Sequence, residues 1–482
     1  MAIASGALRP RALLDAAVVA AAVVLAALAF AAGQHLILAA VAVAGVIMAL
    51  TYYWPAFGIV PLIFLSTDGM KFFSLENLPY VQLGPGLRLN SEDLALFMLL
   101  VVGVIHLARR RERPQFLTHV MLLGVAAAIS MAVGLAAGTI DVGVAFNGLR
   151  VFSGYLFYVA LVGVIDTPAK LKGLIRIVFA LVIVSVVIQV IEAGLQERIT
   201  TPWSSTSEYF SATQYVSNIE GTIPYLWNRA VGYQLVGLFL ALGGWLWSKR
   251  PAHATIATIA LTGFVVALVR QWYIFISIGV VLLLMVGGQR RSGAVIRTLL
   301  GALLLFAVVV SASMWLPTGF PLADALQDRS ATILNFQNDY SVIARLGVWN
   351  NQIETFLESP IVGMGPGTAD TLFYSGATGW SQDIGMTNSL VQFGALGLAA
   401  ILYLFGSVLR KSRNVLRDMP ASSGREFAAA VFSVWVCIFV AYFFTQDFFT
   451  STELAFAVGL VMTIVDRLHV FSRNPATPRA VP

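Results

Sequence analysis

Residues 427–446 read FAAAVFSVWVCIFVAYFFTQ, twenty positions without a charged side chain. As a helix rising 1.5 Å per residue, such a run covers about 30 Å, the hydrocarbon thickness of a bilayer. The whole chain is written in this style. Its 482 residues are 58% hydrophobic and only 11% charged, whereas a soluble domain carries about a quarter charged residues. An all-α polytopic integral membrane protein is the class this composition supports. The one cysteine, Cys437, lies inside the quoted run. That excludes an intramolecular disulfide and a cysteine metal cluster, and reads as a small core residue.

Working outward, span-length apolar runs are predicted near 13–33, 36–53, 55–67, 91–108, 116–138, 148–165, 173–193, 229–248, 254–270, 271–288, 297–316, 387–408, 427–446 and 453–468. The third is short enough to be a half-span, so the expectation is about 12–14 transmembrane helices in one polytopic domain, 1–482. The first run is as long as a bilayer span and reads as a retained helix rather than a cleaved signal. No internal repeat or appended soluble domain is visible.

Charge fixes the expected orientation. With the N-terminus inside, 22 of the 30 Lys and Arg residues fall in inner loops, including RRRER at 109–113, RKSR at 410–413 and Arg467. The excess of cytoplasmic Lys and Arg in short loops makes both termini cytoplasmic. The net charge of +6 therefore records topology and does not point to nucleic acid. Three outer segments follow, at 68–90, 194–228 and 317–386, the last a large loop expected to fold back onto the membrane mouth.

Within that loop, Ala344–Gly367 reads ARLGVWNNQIETFLESPIVGMGPG, a polar island in an apolar chain. Trp349, Ile353, Phe356 and Leu357 fall at helical spacing on one face, predicting an interfacial helix with its apolar side to lipid or to the bundle. Ser359-Pro360 ends it. The glycines at 363, 365 and 367 either free backbone N–H groups for an anion or permit a close turn.

Eight cations remain outside: Lys71, Arg88, Arg150, Arg198, Arg229, Arg270, Arg329 and Arg345. An arginine at the membrane edge is costly without a partner, and its planar fork matches phosphate oxygens. Arg229, Arg270 and Arg345 sit at or beside span ends, where each is either an interfacial snorkelling residue or a phosphate ligand. The five histidines fall at span ends or on the inner side, leaving no histidine base or zinc site in the outer loops. The outer carboxylates show no metal-loop spacing, though one could serve as a base.

These residues resemble the O-antigen ligase and O-antigen polymerase superfamily. The resemblance rests on Arg229 with Gly232, on Arg270 between two closely joined spans, and on R-x-G-x-W followed by S-P-x-x-G-x-G-x-G from Arg345 to Gly367. TNSLVQFGALGL at 387–398 is similar to the family segment in which a His-Asn pair opens the next span. The resemblance implies a glycosyltransferase C-like architecture with a large helical periplasmic loop. It implies an undecaprenyl-pyrophosphate-linked glycan as donor, a glycan or lipid-linked acceptor, membrane lipid around the site, and a chain-length regulator as protein partner. Arg229, Arg270 and Arg345 take the catalytic, pyrophosphate-binding role, with no metal or cofactor. Trp349, Gly363 and Gly365 shape the substrate pocket, with Thr387 and Asn388 at its edge. This chain departs from the ligases in having Thr387 before Asn388, which favours a polymerase over a ligase. A secondary transporter is the rival class, and it would call for ionisable residues at mid-membrane or discontinuous helices.

Overall fold

The computed structural model describes residues 45–66, 81–84, 87–89, 91–195, 216–218, 221–223, 230–267, 270–287, 340–368, 385–419, 425–444, 449 and 452–473. The chain is an all-α polytopic membrane protein. Two small antiparallel hairpins are added outside the helices, pairing Val81–Gly84 with Leu87–Leu89 and Val216–Asn218 with Gly221–Ile223.

The helices are α1 (Gly45–Tyr53), α2 (Ala56–Ser66), α3 (Ser91–Arg110), α4 (Leu117–Ala137), α5 (Val142–Leu149), α6 (Ser153–Val164) and α7 (Pro168–Leu195). They continue with α8 (Val231–Ser248), α9 (Pro251–Val266), α10 (Arg270–Gly287), α11 (Tyr340–Glu358), α12 (Gly385–Asp418), α13 (Arg425–Phe444) and α14 (Thr452–Arg473). Among the described residues seven are long and apolar enough to cross a membrane, or eight if the pair α1 and α2, bent by 115°, forms one broken span. Two shorter apolar helices lie at Pro251–Val266 and Gln271–Gly287. The runs expected at 13–33 and 297–316 lie outside the described residues, as do 317–339 and 369–384 of the large loop.

Local chemistry sets several of these boundaries. The carboxylate of Asp141 accepts from the Val144 amide at 2.8 Å, capping α5. Pro251 opens α9, where its missing N–H costs nothing. Gly138, at φ 72°, closes α4 in the left-handed conformation.

Inside a bilayer, helices are held by close packing and hydrogen bonds rather than by expulsion of apolar surface from water, so small residues mark the contacts. Gly103 of α3 lies against Ala160 of α6, and Gly154 of α6 lies against Ala455 of α14. Gly243 of α8 meets Ala430 of α13, and Gly279 of α10 meets Cys437. Helices α6, α8 and α14 are almost wholly buried, while α4 and α7 expose Met121, Val125, Val184 and Val187 on their outer faces.

The bundle has two chemically different ends. At the basic end, Arg110 approaches Asp166, Lys170 pairs with Asp166 at 2.8 Å, and Lys411 donates to Gln115 Oε1 at 3.0 Å. Not all of these cations only mark topology. Arg467, counted among the inner-loop cations, is 1% exposed and lies 2.6 Å from Glu112 and 2.8 Å from Asp466. The Asp466 carboxylate also accepts from the Gln115 amide and the Tyr158 hydroxyl. Its three partners explain the burial, since a charge is tolerated in such a place only when paired and hydrogen-bonded.

Candidate functional site

The opposite end is organised by a break in α12. Gly394 has φ 66° and ψ −168°, so the helix is interrupted there and resumes at Ala395. In a continuous helix the amides of Ala395 and Leu396 would bond the carbonyls of Val391 and Gln392. Here those four groups are re-partnered by the turn that follows α11. Ala395 donates to the Pro360 carbonyl at 2.9 Å and Leu396 to the Ile361 carbonyl at 3.0 Å. Met364 donates to the Val391 carbonyl at 2.9 Å and Gly365 to the Gln392 carbonyl at 3.1 Å. Four bonds between segments replace two within the helix. That is how a broken helix avoids leaving backbone groups unsatisfied at membrane depth.

The glycines are what let the turn approach so closely. Gly363, Gly365 and Gly367 all have positive φ (75°, 110° and 83°), and a Cβ on Gly363 would fall 2.5 Å from the Gln392 carbonyl. On the facing side, Gly134 of α4 abuts the Met364 carbonyl and Gly148 of α5 abuts Pro366. Of the two roles the sequence left open for these glycines, the close turn is the one observed. The amide of Gly363 bonds the Ser359 carbonyl, that of Gly367 bonds Gln392 Oε1 at 3.0 Å, and that of Thr368 bonds the Gly365 carbonyl. With Met364 and Gly365 already committed and Pro366 lacking an N–H, the turn directs its donors inward.

Around the turn runs a buried, uncharged polar network. Gln392 Nε2 donates to Asn388 Oδ1 at 2.9 Å, one helical turn earlier on the same face of α12. Ser130 of α4 donates to the Gln392 carbonyl, and Tyr442 of α13 donates to Ser389 at 2.7 Å. The Thr387 hydroxyl donates to Gln352 Oε1 on α11. Gln352, Thr387, Asn388, Ser389 and Gln392 are each at most 3% exposed.

The structure thus brings Gly363, Gly365, Thr387 and Asn388 into one cluster. Trp349 lies three residues before Gln352 on α11 and is 36% exposed, and Leu357 is 66% exposed, so the predicted apolar face of α11 is turned partly outward. The face against α12 carries Val348 and Gln352 instead, because Thr387 supplies a partner for the amide. Arg345 is in α11 and Arg270 is the first residue of α10; their side chains lie outside the described residues, as does the whole of Arg229. Residue 270 and Ala230, which immediately follows Arg229, lie at the turn end by the course of α8, α9 and α10. Chain direction places them there: Lys249 closes α8 and Pro251 opens α9 at the basic end, where His253 lies near Lys172. Of the eight outer cations, Arg150 is the one whose side chain is among the described residues, and it is paired with Asp93 at 3.2 Å. The described histidines 106, 119, 253 and 469 lie towards the basic end.

Sequence reasoning missed Gln352 and Gln392. Gln392 carried a signal, since it stands four residues after Asn388 on one face of an otherwise apolar span, whereas Gln352, on a helix that also carries Asn350, Asn351 and Glu354, carried none.

Residues 254–385 match the family model described as O-antigen ligase. This segment is similar to the O-antigen ligase and polymerase superfamily. The superfamily consists of membrane enzymes of the glycosyltransferase kind that act on lipid-linked glycans. The matched segment begins within α9, includes α10 and α11, hence Arg270, Arg345 and the glycine turn, and ends at the first residue of α12. No curated protein matches the chain.

Proposed function

We propose that this protein is a polysaccharide polymerase that works at the outer face of a bacterial inner membrane. It transfers a glycan from undecaprenyl pyrophosphate to a hydroxyl of an acceptor sugar carried on a second lipid. The observation that supports this reading most is the domain match, whose residues carry Arg270 and Arg345 on helices α10 and α11. In this reading Arg229, Arg270 and Arg345 hold the donor pyrophosphate. The acceptor oxygen attacks the anomeric carbon, the bond to pyrophosphate breaks, the hydroxyl proton passes to water or to the released pyrophosphate, and the guanidinium groups offset the charge gathering on the leaving group. Trp349, Gly363 and Gly365 line the approach, Thr387 and Asn388 form its membrane edge, and the loop 317–386 faces the periplasm with both termini inside. A chain-length regulator is the protein partner this function calls for.

Arg345→Ala is expected to abolish polymer in cells while the protein persists in the membrane. Normal chain length in that strain overturns the reading. Arg345→Lys is also expected to be poor, because a point charge cannot reproduce a bidentate fork.

A ligase, which would pass the glycan to lipid A-core or another acceptor, is favoured by the description of the matched model. Against it stands position 387, where a threonine bonded to Gln352 replaces the ligase histidine. A deletion strain separates the two: single repeats on the lipid carrier mark a polymerase, full-length unligated polymer a ligase. The broken helix α12 is a feature also expected of a secondary transporter. Its freed backbone groups, however, are bonded to residues 360–365.

A further inference from the structure

Two parts of the proposed donor site are fastened to the same short piece of α12. The glycine turn is held by backbone bonds to residues 391–396 and by Gln392. Helix α11, which carries Arg345 and Trp349, is held by a different bond, from Thr387 to Gln352. Gln352 is fully buried although α11 is polar and mostly exposed around it: Asn350, Asn351 and Glu354 all face outward. A buried amide on such a helix fixes its rotation, because turning α11 would strand the glutamine and the Thr387 hydroxyl without each other.

The register makes that rotation matter. Residue 345 precedes Gln352 by seven positions, two turns of helix, so the two Cα atoms share one stripe about 10 Å apart. Trp349 lies three residues before Gln352, next to that stripe. We propose that Gln352 is a positioning residue for the donor site. Its bond to Thr387 sets the rotation of α11 and thereby where the stripe bearing residue 345 is aimed. The inference rests on the reading of Arg345 as a pyrophosphate ligand and deepens it. It also gives Thr387, at the place where ligases carry histidine, a structural task in this chain.

The test uses purified full-length protein in lipid nanodiscs with a lipid-linked repeat as donor. Gln352→Met keeps the volume and removes the acceptor. Since misplacement of a binding group by about 1 Å can cost up to a hundredfold, donor kcat/KM is expected to fall about tenfold, through donor KM, with acceptor KM unchanged. Introduced into Arg345→Lys protein, the same change is expected to add less than about twofold, because it acts through residue 345. The volume-conserving exchange of Gln352→Thr with Thr387→Gln restores a hydrogen-bonding pair and is expected to recover most of the donor KM. It also covers the case in which Gln352→Met fails to fold.

The outcomes separate cleanly. An Arg345→Lys protein with unaltered donor KM brings down the donor-site reading itself. A raised KM there, with Gln352→Met leaving donor KM unchanged or raising both KM values together, overturns the positioning role alone. Full additivity with Arg345→Lys, or an exchanged pair that folds but stays at the level of Gln352→Met, overturns it too.

Discussion

At the basic end, Arg467 is sandwiched between Glu112 and Asp466, and the Asp466 carboxylate takes two further donors from Gln115 and Tyr158. At the turn end, Gln352, Thr387, Asn388, Gln392 and the amide of Gly367 are joined without a formal charge among them. Both ends bury polar groups in an apolar bundle, and both draw on helices far apart in sequence. The basic end does so with ions that neutralise one another, which makes it a pin. The turn end does so with neutral groups, which fixes geometry while adding no field of its own at a site proposed to meet a pyrophosphate. Substitutions at the first end should therefore change how much folded protein exists, and substitutions at the second should change what folded protein does.

The largest expected effect tests the pin. Arg467→Met leaves Asp466 and Glu112 without their shared cation, and removing one partner of a buried pair costs about 3–5 kcal/mol. The expected result is a marked drop in membrane-inserted protein and in melting temperature, with near-normal activity per folded molecule. Normal abundance with lost activity would dissolve the distinction between the two ends.

Next comes the break itself. Gly394→Ala puts a side chain into a left-handed conformation and against the Ile361 carbonyl. The strain is worth about 1–3 kcal/mol, and relief requires the turn to move away. Polymer length should fall sharply while much of the protein still inserts. Gly406, in the continuous part of α12 with open space around it, is the control, and Gly406→Ala should be neutral or mildly favourable.

How much of this the sequence discloses depends on the range of the interaction. The span predicted at 427–446 is observed at Arg425–Phe444, because a run of apolar side chains records its own burial. Helix α12, predicted to end at 408, runs on to Asp418: RKSRNVLRD keeps helical periodicity while carrying charge that ends any hydropathy run. The break at Gly394 could not be read from TNSLVQFGALGL, since its replacement partners are about thirty residues upstream. Arg467 looked like its neighbours in composition and differs from them through Glu112, Gln115 and Tyr158, all of them hundreds of positions away, the first as its own partner and the other two as donors to Asp466. The glycine turn was found as a motif, but that its amides are committed to protein shows only in its bonds to the Val391 carbonyl, to Gln392 and within the turn itself.

The smallest expected effect asks which element carries the turn. Thr139 follows the end of α4 and donates from its hydroxyl to the Met364 carbonyl at 2.7 Å, with the Gly134 carbonyl also within 3.1 Å. Thr139→Val keeps the shape and removes the donor. A neutral hydrogen bond of this kind contributes about 1 kcal/mol, and less where water can take the vacated place, as it can at this partly exposed position. Against it stand four backbone bonds and the Gln392 side chain, all from α12. If α12 is the support, Thr139→Val lowers donor turnover by less than about threefold, well below the effect of Gly394→Ala. If the two are equal, the turn is held from α4, where Gly134 already admits the Met364 carbonyl. The uncharged network on α12 would then be a neighbour of the turn rather than its foundation.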